Sequence, residues 1–243
     1  VNEAWGADPT SFFTDSFLQV VPGDTFSWAP AWSVMIPLAL VWILVLFVIG
    51  RGLSKGVEAA NKIFLPLLVI LFLALVVRAL FLPGAVEGLN AFFTPNWGAL
   101  FDPKVWLAAF AQIFYSLSVG FGIMLTYASY LKPKSNLTGT ALVAGFANSS
   151  FEILAGIGVF SAVGFMAHQG GVSVSEVEGL SGPILSFVTF PKIISMMPGG
   201  PIFGVLFFSS LVLAGVTSLL SLLQVVSGGL QDKFGWSPAR SAL

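Results

Sequence analysis

The sequence predicts an all-α integral membrane protein, and three observations carry that reading. Only 9% of its 243 residues are charged against 56% apolar, whereas a soluble domain carries about 25% charged residues. Mean hydropathy is +0.94. Five apolar runs approach or exceed the roughly 20 residues a helix needs to cross a ~30 Å hydrocarbon layer. So few charges cannot clothe a water-facing surface, which excludes a soluble enzyme, a nucleic-acid binder and a disordered chain. The runs are continuous rather than alternating, which excludes the strands of an outer-membrane barrel. With no cysteine and one histidine, His168, a disulfide framework, a thiol nucleophile and a cysteine- or histidine-rich metal centre fall away as well.

The spans follow from the spacing of charges. Asp24 and Arg51 enclose 26 uncharged residues, with the apolar part at Ala31–Ile49. Lys62 opens a Leu/Ile/Val/Phe run that passes Arg78 and ends at Leu82. Val105–Leu131 holds no charge, and Thr138–Val163 is apolar except for Glu152. A fifth helix starts near Ile202, after Pro198-Gly199-Gly200-Pro201, and runs to Gln231. The first run begins near residue 28 behind an acidic stretch, unlike a secretory signal.

The connections set the orientation. Arg51, Lys55, Lys62, Lys132, Lys134, Lys233 and Arg240 lie in alternate loops, leaving Arg78, Lys104 and Lys192 for the other side. The positive-inside rule makes the first group cytoplasmic. Arg78, near the outer end of its helix, can snorkel its stem to the surface. The outward loops Pro83–Pro103 and Ala167–Pro201 are long, and loops beyond 12–15 residues usually have their own structure or function. In the second of them, apolar Pro183–Phe190 is expected to fold back between helices as a re-entrant hairpin.

Polar residues inside the spans need partners, because an unsatisfied group in lipid costs several kcal/mol. Glu152 is the only carboxylate in the five runs, with Asn148 four residues earlier on the same helical face. An ionisable residue there is a functional-site candidate, although an interhelical hydrogen-bond pair would also use it. Gln112 and Ser116 are likewise four apart, and Ser116-Leu117-Ser118-Val119-Gly120-Phe121-Gly122 follows at once. Two glycines and two serines weaken a helix at mid-span. A break there would free backbone groups that are tolerable only where they line a cavity; close helix packing at the glycines is the other reading. In the last span Thr217, Ser221 and Gln224 form one polar stripe beside Ser218 and Leu222. Such hydroxyls either bond back to their own helix or, as hard oxygen donors, suit a small cation. Taken together, oxygen donors, one buried charge and a broken helix at mid-membrane describe a secondary-transporter site.

The residues Gln112-Ile113-Phe114-Tyr115-Ser116-Leu117-Ser118-Val119-Gly120-Phe121-Gly122, with Thr126-Tyr127-Ala128-Ser129-Tyr130, resemble the sixth helix of the neurotransmitter:sodium symporter family, and most closely its prokaryotic amino-acid transporters. Asn148-Ser149-Ser150-Phe151-Glu152-Ile153-Leu154 is similar to the family's seventh helix and Leu213-Ala214-Gly215-Val216-Thr217-Ser218 to its eighth. Arg51-Gly52-Leu53-Ser54-Lys55-Gly56-Val57-Glu58 resembles the turn between helices four and five. The resemblance implies part of an inverted five-plus-five helix repeat with an unwound sixth helix. It divides the chain into the end of an outer loop (1–27), helices four and five (28–83), an outer loop (84–103), helices six to eight with the outer loop 167–201 (104–232), and the start of helix nine (233–243).

The resemblance implies sodium-coupled symport of an amino acid across the cell (inner) membrane, with two sodium ions and no organic cofactor. Ser116 and Asn148 would serve one sodium, with Ser116 standing where Thr is frequent. Ala214, through its carbonyl, and the hydroxyls of Thr217 and Ser218 would serve the other. Tyr115, Ser118, Phe121, Ser218 and Leu222 would line the substrate pocket, Tyr115 replacing a common Phe; the apolar lining favours an aliphatic or aromatic substrate. Gln112, Ser116, Asn148 and Glu152 match the chloride region of animal members, where Ser is common at the position of Glu152. A fixed carboxylate there implies chloride-independent transport, and a group able to carry a proton back on the return step. Ser129, Tyr130, Gln224 and Asp232 resemble the inner gate.

The gate's arginine, helix one and helix three lie outside residues 1–243 in the family pattern, so the chain is expected to be a fragment that needs its missing N- and C-terminal helices as partners. A channel would need a continuous polar pore, while the polar residues cluster near one depth. An intramembrane hydrolase would need a base beside its serine, and His168 falls in an outward loop without a Gly-x-Ser-x-Gly motif. A structural membrane subunit explains five helices but not Glu152, the break and the hydroxyl stripe together.

Overall fold

A computed structural model describes residues 4–6, 8–20, 29–177, 179–180 and 182–242. Asp24, which bounds the first uncharged run, lies outside the described residues, as do 1–3. Among the described residues there is no strand. The principal helices are α1 (Trp32–Gly50), α2 (Lys55–Leu80), α3 (Ala85–Phe93), α4 (Pro103–Ser116), α5 (Ile123–Ser129), α6 (Leu137–Gly170), α7 (Gly182–Met196), α8 (Gly200–Phe234) and α9 (Pro238–Ser241).

Four of these, α1, α2, α6 and α8, are long and apolar enough to cross a membrane. They answer to four of the five expected runs. The fifth run is interrupted, and neither of its halves, α4 with 14 residues and α5 with 7, reaches spanning length alone. Local chemistry sets the ends. Asp102 accepts from the Lys104 amide ahead of Pro103 at the start of α4, and Asn136 accepts from the Gly139 amide at the start of α6, each satisfying an otherwise orphaned donor. Gly171 and Gly235 close α6 and α8 in the left-handed conformation, which glycine adopts without steric cost.

The outward loops carry structure of their own. Within 84–103, α3 packs along the end of α6. Gly84, Gly88 and Gly164 make the approach possible: a Cβ on Gly88 would collide with the carbonyl oxygen of Phe160, and one on Gly164 with that of Gly84. Glu87 and His168 then face each other across this contact at 3.7 Å. In the second loop, the segment expected to form a hairpin is instead one helical run, α7, returning against α8 and α6. Proline explains part of it, since Pro183 sits in the first turn, where a missing amide costs nothing.

Two of the three apolar clusters among the described residues join the long helices. Val45, Ile49, Val57, Val216 and Leu220 close α1, α2 and α8 together at the end carrying Arg51, Lys55 and Arg240. Leu82, Ala162, Phe165 and Ile193 join α2, α6 and α7 at the opposite end. Outside them, large side chains such as Leu40, Ile43, Ile63 and Ile70 are exposed, as expected where the solvent is hydrocarbon and helices gain little by hiding leucine.

Candidate membrane-embedded binding site

The site is built around the gap between α4 and α5. The α4 helix ends at Ser116, and the chain resumes helical geometry only at Ile123. In between, Ser118, Gly120 and Gly122 adopt φ of +53°, +85° and +77°. Glycine tolerates this region, and a serine there is uncommon. Some amides remain satisfied, with Ser118 donating to Tyr115 and Val119 to Phe114. Among the described residues no backbone amide reaches the carbonyls of Ser116, Leu117, Val119, Gly120 or Phe121. These are hard oxygen ligands at the interruption of a membrane helix, a place where free backbone is found only against a cavity or a bound group.

A cavity of about 320 Å³ opens at this interruption, lined by Tyr115, Ser116, Ser118, Phe121 and Ile123 on one side and Ser218, Ser221 and Leu222 on the other. All five residues assigned to a substrate pocket from the sequence therefore line one space. Tyr115 and Phe121 meet edge to face across the break, ring centroids 6.1 Å apart. The lining is mixed: aromatic and aliphatic surface with five hydroxyls and the open carbonyl edge.

Two polar rungs connect α4 with α6. Asn148 Nδ2 donates to Ser116 Oγ at 3.2 Å, and Gln112 Nε2 to Glu152 Oε1 at 3.4 Å. Each helix contributes residues four apart, so the rungs stack on one face. Ser116 is common to the first rung and to the cavity wall. Glu152 thus sits one turn from Asn148 with Gln112 as its partner; among the described residues no cationic side chain lies within 4 Å of it.

On α8, Thr217 Oγ1 donates to the Ala214 carbonyl at 3.0 Å, and Ser221 Oγ to the Thr217 carbonyl at 3.2 Å. Ser218 faces the cavity, while Ala214 and Thr217 lie beside it and off its lining. The hydroxyls of Thr217 and Ser221 are bonded back to their own helix.

Toward the basic end, a larger space of about 860 Å³ is lined by Asn61, Pro66, Tyr127, Tyr130, Leu131 and Ser221, with others from the start of α2. Gln224 is 2% exposed, and its Nε2 donates to Tyr130 at 3.2 Å. Ser129 turns away and donates to its own helix at Thr126. Asp232 is exposed, two turns beyond Gln224. The structure therefore joins two of the four residues named for an inner gate and leaves Ser129 and Asp232 apart from them.

One contact was missed from the sequence. Tyr127 donates its hydroxyl to Ser221 Oγ at 3.0 Å, and Ser221 lines both spaces. The bond stands where the two cavities meet. Ser221 was visible as the middle of the Thr217–Gln224 stripe; Tyr127, three residues before Tyr130 on the short α5, was the signal left unread. Among the described residues no group of three or more His, Asp or Glu could hold a metal ion.

Comparison with known proteins places this geometry. A family model described as the sodium:neurotransmitter symporter family matches residues 3–242. A sodium-dependent transporter of Methanocaldococcus jannaschii is 39% identical over 240 residues, covering 98% of this chain and 48% of the relative. The human sodium- and chloride-dependent neutral and basic amino acid transporter B(0+) is 35% identical over 208 residues, or 84% of this chain and 32% of its own length. The crystal structure of MhsT in complex with L-phenylalanine superposes with a TM-score of 0.76 at 37% identity, covering the whole of this chain and 50% of that one. The chain spans about half the length of the archaeal relative and of MhsT, and less of the human one.

Proposed function

The chain belongs to the sodium:neurotransmitter symporter family, and from that premise we propose that its helices form one half of the site of a sodium-coupled amino-acid symporter working by alternating access. The family is one of transporters rather than enzymes, and the four spans make this a multi-pass membrane protein. The observation that carries the reading is the cavity at the broken helix. Its two walls bring Ser116 and Ser218 to one space beside carbonyls that no amide occupies.

In this reading Ser116 and Asn148 hold one sodium, and Ala214, Thr217 and Ser218 the second. Releasing Thr217 from the Ala214 carbonyl would turn both oxygens toward an ion, a rearrangement of one 3.0 Å hydrogen bond. Tyr115, Ser118, Phe121, Ser218 and Leu222 hold the substrate. Aromatic and aliphatic walls suit an apolar or aromatic side chain, which accords with the phenylalanine bound by MhsT. The substrate's own charged ends would find the open carbonyls and hydroxyls at the break.

Glu152 supplies a resident negative charge beside the first sodium, bonded to Gln112 rather than neutralised by a cation. Two sodium ions in a low-dielectric site need such compensation, and a fixed carboxylate makes chloride unnecessary. Tyr130 and Gln224, joined by the Gln224–Tyr130 bond, serve the inner gate in this reading, with Ser129 and Asp232 standing apart from them in this conformation.

The remaining ligands come from helices that pack on α4, whose residues 103–115 are all exposed, Tyr115 to 73%. The test is phenylalanine uptake into proteoliposomes containing residues 1–243 together with the preceding family helices supplied in trans. An inward sodium gradient should drive uptake that choline does not support. Equal uptake in choline would refute sodium coupling, and sodium-driven uptake by residues 1–243 alone would refute the need for partner helices.

A further inference from the structure

A third space, of about 460 Å³, opens among the outward loops, away from the broken helix. Its size falls within the range of about 300–1,000 Å³ typical of small-molecule pockets. Asp8 and Thr10, from the segment ahead of α1, line it on one side. Ile184, Val188 and Lys192, four residues apart along α7, line it on the other, and Met166 of α6 adds to the apolar part of the wall. The space therefore carries one carboxylate, one ammonium and a patch of aliphatic surface.

The two charges share the cavity without meeting. No ion pair joins Asp8 and Lys192 within 4 Å, and among the described residues no other carboxylate comes that close to Lys192. The Asp8 carboxyl is held below its usual value first by the Ser11 hydroxyl, with the charge of Lys192 adding to the effect from across the space. An open pair on a surface is ordinary, since closing it gains little. Here, however, a walled cavity of ligand size separates the pair, and the segments that carry it are pinned on either side. Trp5 donates its indole N–H to Ser195 Oγ at 2.7 Å, and Phe13 stacks on Phe187 with ring centroids 5.4 Å apart. The segments thus run antiparallel: Asp8 stands three residues after Trp5, and Lys192 three before Ser195. The carboxylate is also fixed locally. Its Oδ1 accepts from the Thr10 and Ser11 amides at 3.1 and 3.2 Å, and its Oδ2 accepts from the Ser11 hydroxyl at 2.6 Å.

We propose that this outer cavity binds a free aliphatic amino acid, its ammonium on the Asp8 carboxylate, its carboxylate on the Lys192 ammonium and its side chain against Met166, Ile184 and Val188. The three parts of the wall match the three parts of the ligand. A molecule with one charge satisfies only one end and leaves the other to water. The choice of an amino acid rests on the symport reading above, to which the cavity adds a receiving station on the outward side. The head of an aminophospholipid carries the same two signs, so the test must separate the two sources.

Photolabelling does so. Leucine carrying a diazirine in its side chain (photo-leucine) is photolysed with the full chain in phosphatidylglycerol vesicles, and the labelled peptides are mapped. Label on Met166 and on residues 184–192 reports the outer cavity, whereas label on residues 115–123 or 218–222 reports the central one. Excess leucine should remove the outer label, while leucinamide and isocaproate, each lacking one of the two charges, should be about tenfold less effective. Asp8→Asn, which keeps a capping side chain on the Pro9–Ser11 turn, and Lys192→Gln should each lower the outer label about tenfold; Lys192→Arg should keep most of it. Vesicles of phosphatidylethanolamine should leave it unchanged, and its loss there would assign the cavity to lipid and overturn the proposal. Absence of the outer label would overturn it too, and label at the central cavity alone would do so while leaving the symport site standing. Competition by isocaproate equal to that by leucine, or indifference to both Asp8→Asn and Lys192→Gln, would be equally fatal.

Discussion

Tyr127→Phe deletes the hydroxyl that joins α5 to α8 between the two cavities. The wild-type bond is 3.0 Å long and neutral on both sides. Ser221 keeps its own bond to the Thr217 carbonyl at 3.2 Å, so the substitution leaves no donor stranded. The loss is then that of one ordinary hydrogen bond, about 1 kcal/mol, which shifts the balance between closed and inward-open forms about fivefold. The chain has no cysteine, so Ile123→Cys would place a lone thiol on the central cavity wall. With a membrane-impermeant thiol reagent applied from the basic side, modification should run about fivefold faster in the Tyr127→Phe background, because the rate follows the population of the open form. Ser221→Ala should give a similar acceleration, and the double variant no more than either single one, since both remove the same contact. An unchanged rate, or fully additive effects, would show that this bond does not separate the two spaces.

Three further outcomes follow from other parts of the molecule. In chloride-free medium, uptake should vanish on Glu152→Ser and return when chloride is added; if the variant stays indifferent to chloride, the carboxylate is not the compensating charge. Gly88→Ala forces a methyl group against the Phe160 carbonyl, an overpacking worth about 1–3 kcal/mol, so Tm should fall by several degrees, whereas Gly145→Ala, which meets open space, should leave it unchanged. The Asp8 carboxyl is held below its usual value of 3.8 first by the Ser11 hydroxyl, then by the Ser11 amide. Its folded value is depressed, so its cap on the Pro9–Ser11 turn is intact above pH 3.8 and lost as pH falls through the lowered value; NMR titration should show Ser11→Ala moving Asp8 back up.

Much of the site was legible because its signals are local. Gly120 and Gly122 beside Ser116 and Ser118 mark where a helix gives way, and the backbone there does turn left-handed. Gln112/Ser116 and Asn148/Glu152 each announce a shared face by their spacing, and those faces do meet. The Thr217–Ser221–Gln224 stripe was visible for the same reason. What stayed hidden involved pairing. Nothing near Tyr127 says that its hydroxyl meets Ser221, 94 residues later, and nothing near Gly84 says that Gly164 is what it must make room for. The Pro183–Phe190 segment reads as an apolar fold-back, and its helical form depends on surfaces offered by α6 and α8.

The amino-acid sequence by itself determined that this protein lives in a membrane, where its helices begin, and which one breaks. Those outcomes depend on hydrophobic length, on charge placement and on backbone preferences of neighbouring residues, all of which act within a turn or two. Tertiary structure alone decided that Ser116 and Ser218 face one cavity, and that a single hydroxyl contact divides it from the space beneath. Such facts belong to the rotation and depth of one helix against another. In a bilayer, where apolar side chains gain little from choosing a neighbour, close packing at small residues and a few polar contacts set them.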